Sequence, residues 1–334
     1  MSDKVYQIKP GVLTKTTVII FTYNRALQLD ALLSSLFVHY RNLDLPIHII
    51  YHWSQTHEES YNRLRKTWEK KGVVFHLRSH TYPRKKMLRL LLRPINLYWY
   101  FKSAWLRNSF DNFKFLLEDI ISSCKSDFIT FSTDDQIMFK DTIVPETAFS
   151  LIKTDPKSYS YRFISGVHFK DENGIPENMH VHYYEEGGKP VFFGWRNSDE
   201  HATEVWKYRF HVDGTIYEKN TLNKLLKPLI YHMPTTLEGG GLWESRLRGY
   251  FDKGLSAMER TFVGIQANNI QAVSDTPSAN FDVTVLMKAY LQGYCLEVHA
   301  EDVDQYKYIY IPKELYLKRG PEVISYTEFC RISD

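Results

Sequence analysis

Thr16-Thr17-Val18-Ile19-Ile20-Phe21, followed at once by Thr22-Tyr23-Asn24-Arg25, sets the architecture of this chain. The β-branched run has the pattern of a buried strand, and from Ala26 to Phe37 apolar residues recur at helical spacing, so Thr22 to Arg25 is a tight strand-to-helix connection. Further along the chain, Pro46 to Tyr51 reads as a second strand, Glu58 to Lys71 as a helix, Val73 to Leu77 as a third strand, Phe110 to Cys124 as a helix and Asp127 to Phe131 as a fourth strand. This β-α-β-α-β order predicts an α/β fold around a parallel sheet with right-handed crossovers.

The fourth strand runs into Ser132-Thr133-Asp134-Asp135-Gln136, so two adjacent carboxylates fall at the carboxyl edge of that sheet, where open α/β folds bind ligands. Hard oxygen ligands there are suited to Mg²⁺ or Mn²⁺ facing a diphosphate. A solvated acidic turn is the competing explanation. In the connection after the first strand, Thr22 and Asn24 are candidates to hydrogen-bond a base or ribose, Tyr23 to stack, and Arg25 to pair with a phosphate through its planar fork. Helix capping by Thr22 or Asn24 competes with that reading.

The chain has 334 residues and a net charge of +3, too small to point to nucleic acid, and it carries no nucleic-acid-binding signature. Local charge says more. From His76 to Phe110 there is no acidic residue, while Arg84, Lys85, Lys86, Arg89, Arg93, Lys102 and Arg107 interleave with Leu88, Tyr98, Trp99, Tyr100 and Trp105. Residues 84–107 therefore have the composition of a surface that meets an anionic membrane, or of helices packing an apolar face on the core. Three widely spaced cysteines match no metal or redox motif and suggest a reducing compartment. Without a signal-peptide pattern, or a run approaching the roughly 20 apolar residues a bilayer needs, the expectation is a cytoplasmic protein, peripheral to the inner membrane face if residues 84–107 bind lipid.

Beyond Lys140 the pattern changes. Ser158 to Phe169 alternates like an antiparallel strand, Asp171 to Gly174 is a turn signal, and Glu185-Glu186-Gly187-Gly188 reads as a loop. Helix returns at Thr221 to Leu229 and again after a turn at Glu238-Gly239-Gly240-Gly241. With no repeat or linker, residues 1–140 and 141–334 read as two halves of one continuous domain.

Thr17 to Arg25 and Phe131 to Asp135, about a hundred residues apart, together resemble the nucleotide-gripping loop and the metal-binding acidic motif of GT-A glycosyltransferases. Trp206 to Tyr217, His232 to Glu238 and Val263 to Gln271 are similar to segments of bacterial glycosyltransferases of surface-polysaccharide synthesis (GT2-like). The resemblance implies a Rossmann-like, mostly parallel sheet with an acceptor-side half of antiparallel strands and helices. It implies transfer of a sugar from a nucleotide-sugar donor, UDP-linked by first expectation, to a saccharide or lipid-linked saccharide, assisted by Mn²⁺ or Mg²⁺. Phe21, Thr22, Tyr23, Asn24 and Arg25 would then grip the nucleotide, with Trp53 or His52 stacking on the base and Lys114, with Asp111, contributing from the preceding helix. Asp135 would ligate the metal, Asp134 would contact the ribose or a metal-bound water, and His299 would supply a third metal ligand. The second strand departs from the resemblance, running into Tyr51-His52-Trp53-Ser54 where many such enzymes carry a base-reading Asp.

Sugar transfer with inversion needs a carboxylate that takes the acceptor hydroxyl's proton. Glu238, after Leu237 and before three glycines, is the first candidate, with a helix-start acid as the competing role. Asp213 is the second, against a routine Asp-Gly turn. A nucleotidyltransferase is disfavoured because no Gly-rich phosphate loop opens the chain, and a non-catalytic carbohydrate-binding scaffold on the same fold remains the alternative of a different class.

Overall fold

The computed structural model describes residues 13–79, 92, 97, 111–166, 175–203, 205–268, 278–298 and 309–333. Of the sequence expectations, the turn at Asp171 to Gly174, His299 and nearly all of the basic aromatic segment 84–107 lie outside these residues.

The first strand, β1 (Thr16–Tyr23), leads into α1 (Ala26–His39), β2 (Leu43–His52), α2 (Glu58–Trp68) and β3 (Val73–Leu77). After α3 (Phe113–Ser123) come β4 (Phe128–Thr133), β5 (Gln136–Met138), α4 (Glu146–Thr154) and β6 (Tyr159–Arg162). A hairpin of β7 (Val181–Glu186) and β8 (Lys189–Arg196) precedes β9 (Thr215–Glu218), α5 (Lys219–Leu226), α6 (Pro234–Arg248), β10 (Lys253–Ala257) and β11 (Phe262–Ile265). The chain ends with α7 (Val283–Leu291), β12 (Cys295–Glu297), β13 (Ile309–Tyr310), β14 (Tyr316–Arg319), β15 (Glu322–Ser325) and α8 (Tyr326–Ser333).

Nine strands form one sheet in the order β3-β2-β1-β4-β9-β6-β10-β8-β7. The first four are parallel neighbours, as the βαβ order requires, and β9 then adds antiparallel to β4. Because the sheet runs unbroken across residue 140, the two halves share one hydrogen-bonded frame. β6 is shorter than the predicted strand over residues 158–169; it pairs antiparallel with β9 and parallel with β10.

Alternation builds the layers. In β1, Val18 and Ile20 enter one apolar cluster with α1, α2, α4 and α7, while Ile19 and Phe21 enter a second with α3, α5 and α6. A strand buried on both faces reads as a continuous apolar run, which is why β1 is legible as a strand but its two faces are not. The predicted loop at Glu185 to Gly188 is the tip of the β7–β8 hairpin, where Gly187 (φ 59°) and Gly188 (φ 76°) supply the left-handed conformations of a two-residue turn.

Glu238 to Gly241 requires a correction: the three glycines lie inside α6, not in a turn. The reason is packing. A Cβ on Gly241 would lie 2.4 Å from the fully buried Phe210 ring, whereas one on Gly239 would meet nothing within 4 Å. Gly241→Ala should therefore destabilise by about 1–3 kcal/mol from overpacking. Gly239→Ala should stabilise by roughly 0.5–1 kcal/mol, because alanine loses less backbone entropy in a helix. Thermal melts of the two variants check this opposition of sign.

Candidate functional site

Four separated segments meet at the carboxyl edge of the parallel strands: the β1–α1 connection, the β4–β5 turn, the approach to β9, and the second turn of α6. β5 is held antiparallel to β11, and Ile265 N–H donates to Asp135 O at 2.6 Å, so the exit of β11 closes over the acidic turn. Asn24 takes a left-handed conformation (φ 55°), which asparagine tolerates, and this turns Arg25 back toward that turn.

Arg25 is the centre of the arrangement. Its Nη1 donates to Asp134 Oδ1 at 3.0 Å and to Asp135 Oδ2 at 2.9 Å. Nε donates to Asn268 Oδ1 at 2.9 Å and Nη2 to Asn268 O. The other carboxylate oxygens are also engaged: Asp134 Oδ2 accepts from Tyr23 N–H at 3.1 Å, and Asp135 Oδ1 lies 2.8 Å from Thr133 Oγ1. Gln266 Nε2 donates to Asp135 Oδ2 at 3.3 Å. Burial raises the Asp134 pKa to about 6, with Arg25 opposing the shift.

Thr133 Oγ1 also lies 2.9 Å from Asp213 Oδ1. One hydroxyl hydrogen cannot serve two carboxylates, so a proton on one of them completes the chain. Asp213 suits that role: burial, then the charge of Asp135, pushes it up to about 7. Glu238 stands next in line. Its Oε1 accepts from Val212 N–H at 3.4 Å and lies 3.7 Å from His211 Nδ1. Burial and then Asp213 push Glu238 up to about 8.

Both shifts bear on stability. A carboxyl whose pKa is higher in the folded state costs nothing below its unfolded value near 4, and costs progressively more as pH rises through the folded value. For Asp213 this cost grows between about pH 4 and 7. Asp213→Asn keeps a partner for Thr133 and removes the charge. The variant should therefore gain melting temperature over the parent at pH 8.5 but little at pH 5, which paired thermal melts check.

The structure distributes the other sequence candidates differently. Phe21 is a core side chain against Phe113 and Phe131. Thr22 Oγ1 bonds Tyr61 OH at 2.7 Å, and Asn24 bonds Ser54 through both ends of its amide, so these two side chains brace the loop. Neither caps α1, whose N-cap residue, Arg25, makes no side-chain capping bond. Tyr23 is 37% exposed and stacks on His52 at 5.7 Å, leaving an aromatic face at the sheet edge. Trp53 stacks on Tyr51 and Tyr61. Lys114 is buried against Glu118 and the carbonyls of Leu226 and Lys227, an internal anchor between α3 and α5. Asp111 pairs with Arg78 at 2.5 Å.

Gln266, Asn268 and His211 also join the site; they fall within the segments Val263 to Gln271 and Trp206 to Tyr217, where the sequence assigns no role to any one of them. The alternate polar residues at 266 and 268, just beyond a strand, were the available signal for the first two. As they stand, Asp134 and Asp135 do not fit a divalent ion: every carboxylate oxygen already has a protein partner, and a guanidinium nitrogen sits between the two groups. Among the described residues no group of three His, Cys, Asp or Glu converges as a metal site.

No known protein family and no curated protein matches this chain. Among solved structures it is similar to the WbbM bifunctional glycosyltransferase in its apo form, at 11% identity and a TM-score of 0.29. The likeness covers 70% of this chain and 38% of that one, and at this level it carries no weight for function.

Proposed function

We propose that this protein is a glycosyltransferase, moving a sugar from a nucleotide-sugar donor, UDP-linked by first expectation, to a hydroxyl of a saccharide or lipid-linked saccharide in polysaccharide synthesis. The observation that carries the proposal is the convergence of Arg25, Asp134, Asp135, Asp213 and Glu238 at the carboxyl edge of β1 and β4, beside the exposed Tyr23 ring. Such an edge is where open α/β sheets place nucleotides.

Tyr23 and His52 offer a stacked aromatic surface to the base, and the guanidinium of Arg25 a positive charge to the diphosphate. Glu238 serves as general base. In an inverting displacement the acceptor oxygen attacks the anomeric carbon and its proton passes to the Glu238 carboxylate. The bond from that carbon to the phosphate oxygen breaks, and the nucleoside diphosphate leaves with the electron pair. Asp213 sets the charge that Glu238 feels.

Calorimetric titration with UDP-, GDP- and CMP-sugars tests the donor half of this reading. Saturable binding of one of them supports it; binding of a glycan with no nucleotide affinity supports a carbohydrate-binding scaffold instead.

A further inference from the structure

Asp134 and Asp135 present two carboxylates side by side, and the space between them is where a bridging ion would sit. Arg25 Nη1 is already there, 3.0 Å from one and 2.9 Å from the other. It is not held by the carboxylates alone. Nε and Nη2 grip Asn268 through its side chain and its carbonyl, so four of the five guanidinium N–H groups have partners. The Arg25 side chain is 12% exposed, and those of Asp134 and Asp135 are 5% and 12% exposed. Mg²⁺ demands a near-octahedral set of oxygens at about 2.0–2.1 Å and gives up its water reluctantly, which a guanidinium nitrogen wedged between the ligands denies it. A buried charge pair also resists losing one member, since the other is then left uncompensated.

We propose that Arg25 is the resident cation of the Asp134–Asp135 pair, seated in place of a divalent ion, so that the acidic pair positions the guanidinium rather than a metal. Resting on the glycosyltransferase reading of this site, the proposal makes Arg25 the positioning residue that fixes the β1–α1 connection, the acidic turn and the exit of β11 to one another. Its side chain arrives covalently with the fold, so its occupancy does not depend on free metal concentration. One N–H of the guanidinium remains to face a phosphate oxygen.

Loss of the free Mn²⁺ signal in electron paramagnetic resonance reads ion binding without any turnover. The parent protein should bind Mn²⁺ weakly, alone and with UDP or GDP present. Nucleotide affinities in Mn²⁺ and in EDTA should agree within about threefold, because no direct charge contact to an ion is gained or lost. Arg25→Met should raise the affinity for Mn²⁺ roughly tenfold or more, since the two carboxylates are then left without their resident cation. That gain is not what loss of a merely structural residue would give. Stoichiometric Mn²⁺ uptake by the parent protein, lost in Asp135→Asn, would overturn the proposal, and this comparison decides the matter even where Arg25→Met does not fold. Failure of every nucleotide to bind counts against the glycosyltransferase reading instead, while the Mn²⁺ titration without nucleotide still tests Arg25.

Discussion

Glu238→Gln should lower turnover by about 10²–10⁴-fold, the span that loss of a general base commands, while donor affinity stays within a factor of about three. Glutamine keeps the size of the side chain and an acceptor for Val212 N–H, but it cannot take a proton. The split between turnover and binding is the point. Glu238 is separated from the Tyr23 and Arg25 region by Asp213, so its removal should leave the donor's contacts in place. A second signature follows from the raised pKa. Turnover in the parent protein should climb with pH toward about 8 as Glu238 loses its proton, and the residual activity of the variant should lack that limb. Steady-state rates of nucleoside diphosphate release across pH 5.5–9, measured beside calorimetric donor binding, check both. Equal turnover in the two proteins would remove Glu238 as the base.

Arg25→Met should cost about 3–5 kcal/mol of stability at neutral pH, the range for removing one partner of a buried ion pair. Methionine fills part of the same volume, so the loss is chiefly electrostatic: Asp134 and Asp135 are left facing each other, and Asn268 loses two donors. The sign of its pH dependence is fixed by the carboxylates. With the guanidinium gone, Asp134 loses the charge that opposes its upward shift and is easier to protonate, so the deficit should shrink as pH falls from 7 toward 5, where a proton replaces part of the missing charge. Denaturant unfolding at pH 7 and at pH 5 measures this. A cost below about 1 kcal/mol at pH 7 would place Arg25 among surface ion pairs, contrary to its burial.

The parallel half of the fold was legible because its strands are short, mostly apolar runs, β1 and β4 buried on both faces, and each helix between them carries an apolar stripe. The carboxyl-edge position of Asp134 and Asp135 followed from that order alone. Direction of side chains was another matter. In the sequence Arg25 has only a phosphate to pair with, whereas the left-handed Asn24 turns four of its donors onto the acidic turn and onto Asn268, far away in the chain. Nothing local to residues 22–25 encodes such a partner. Thr22 and Asn24 look free in sequence and are consumed by Tyr61 and Ser54 in space. The glycines after Glu238 misled for a physical reason: glycine ordinarily breaks helices, but at Gly241 the approach of Phe210 requires a helix residue with no Cβ. Glu238 consequently sits in the second turn of α6 rather than at its start, where Leu237 and Gly241 pack inward.

Sugar transfer stands or falls on release of nucleoside diphosphate from a panel of UDP-, GDP- and CMP-sugars, assayed with the parent protein and with Glu238→Gln at pH 8. The parent protein should release it from at least one donor, faster when a saccharide acceptor is added and slower by two or more orders of magnitude in the variant. No release from any donor, in a folded protein that also binds none of them, would contradict it.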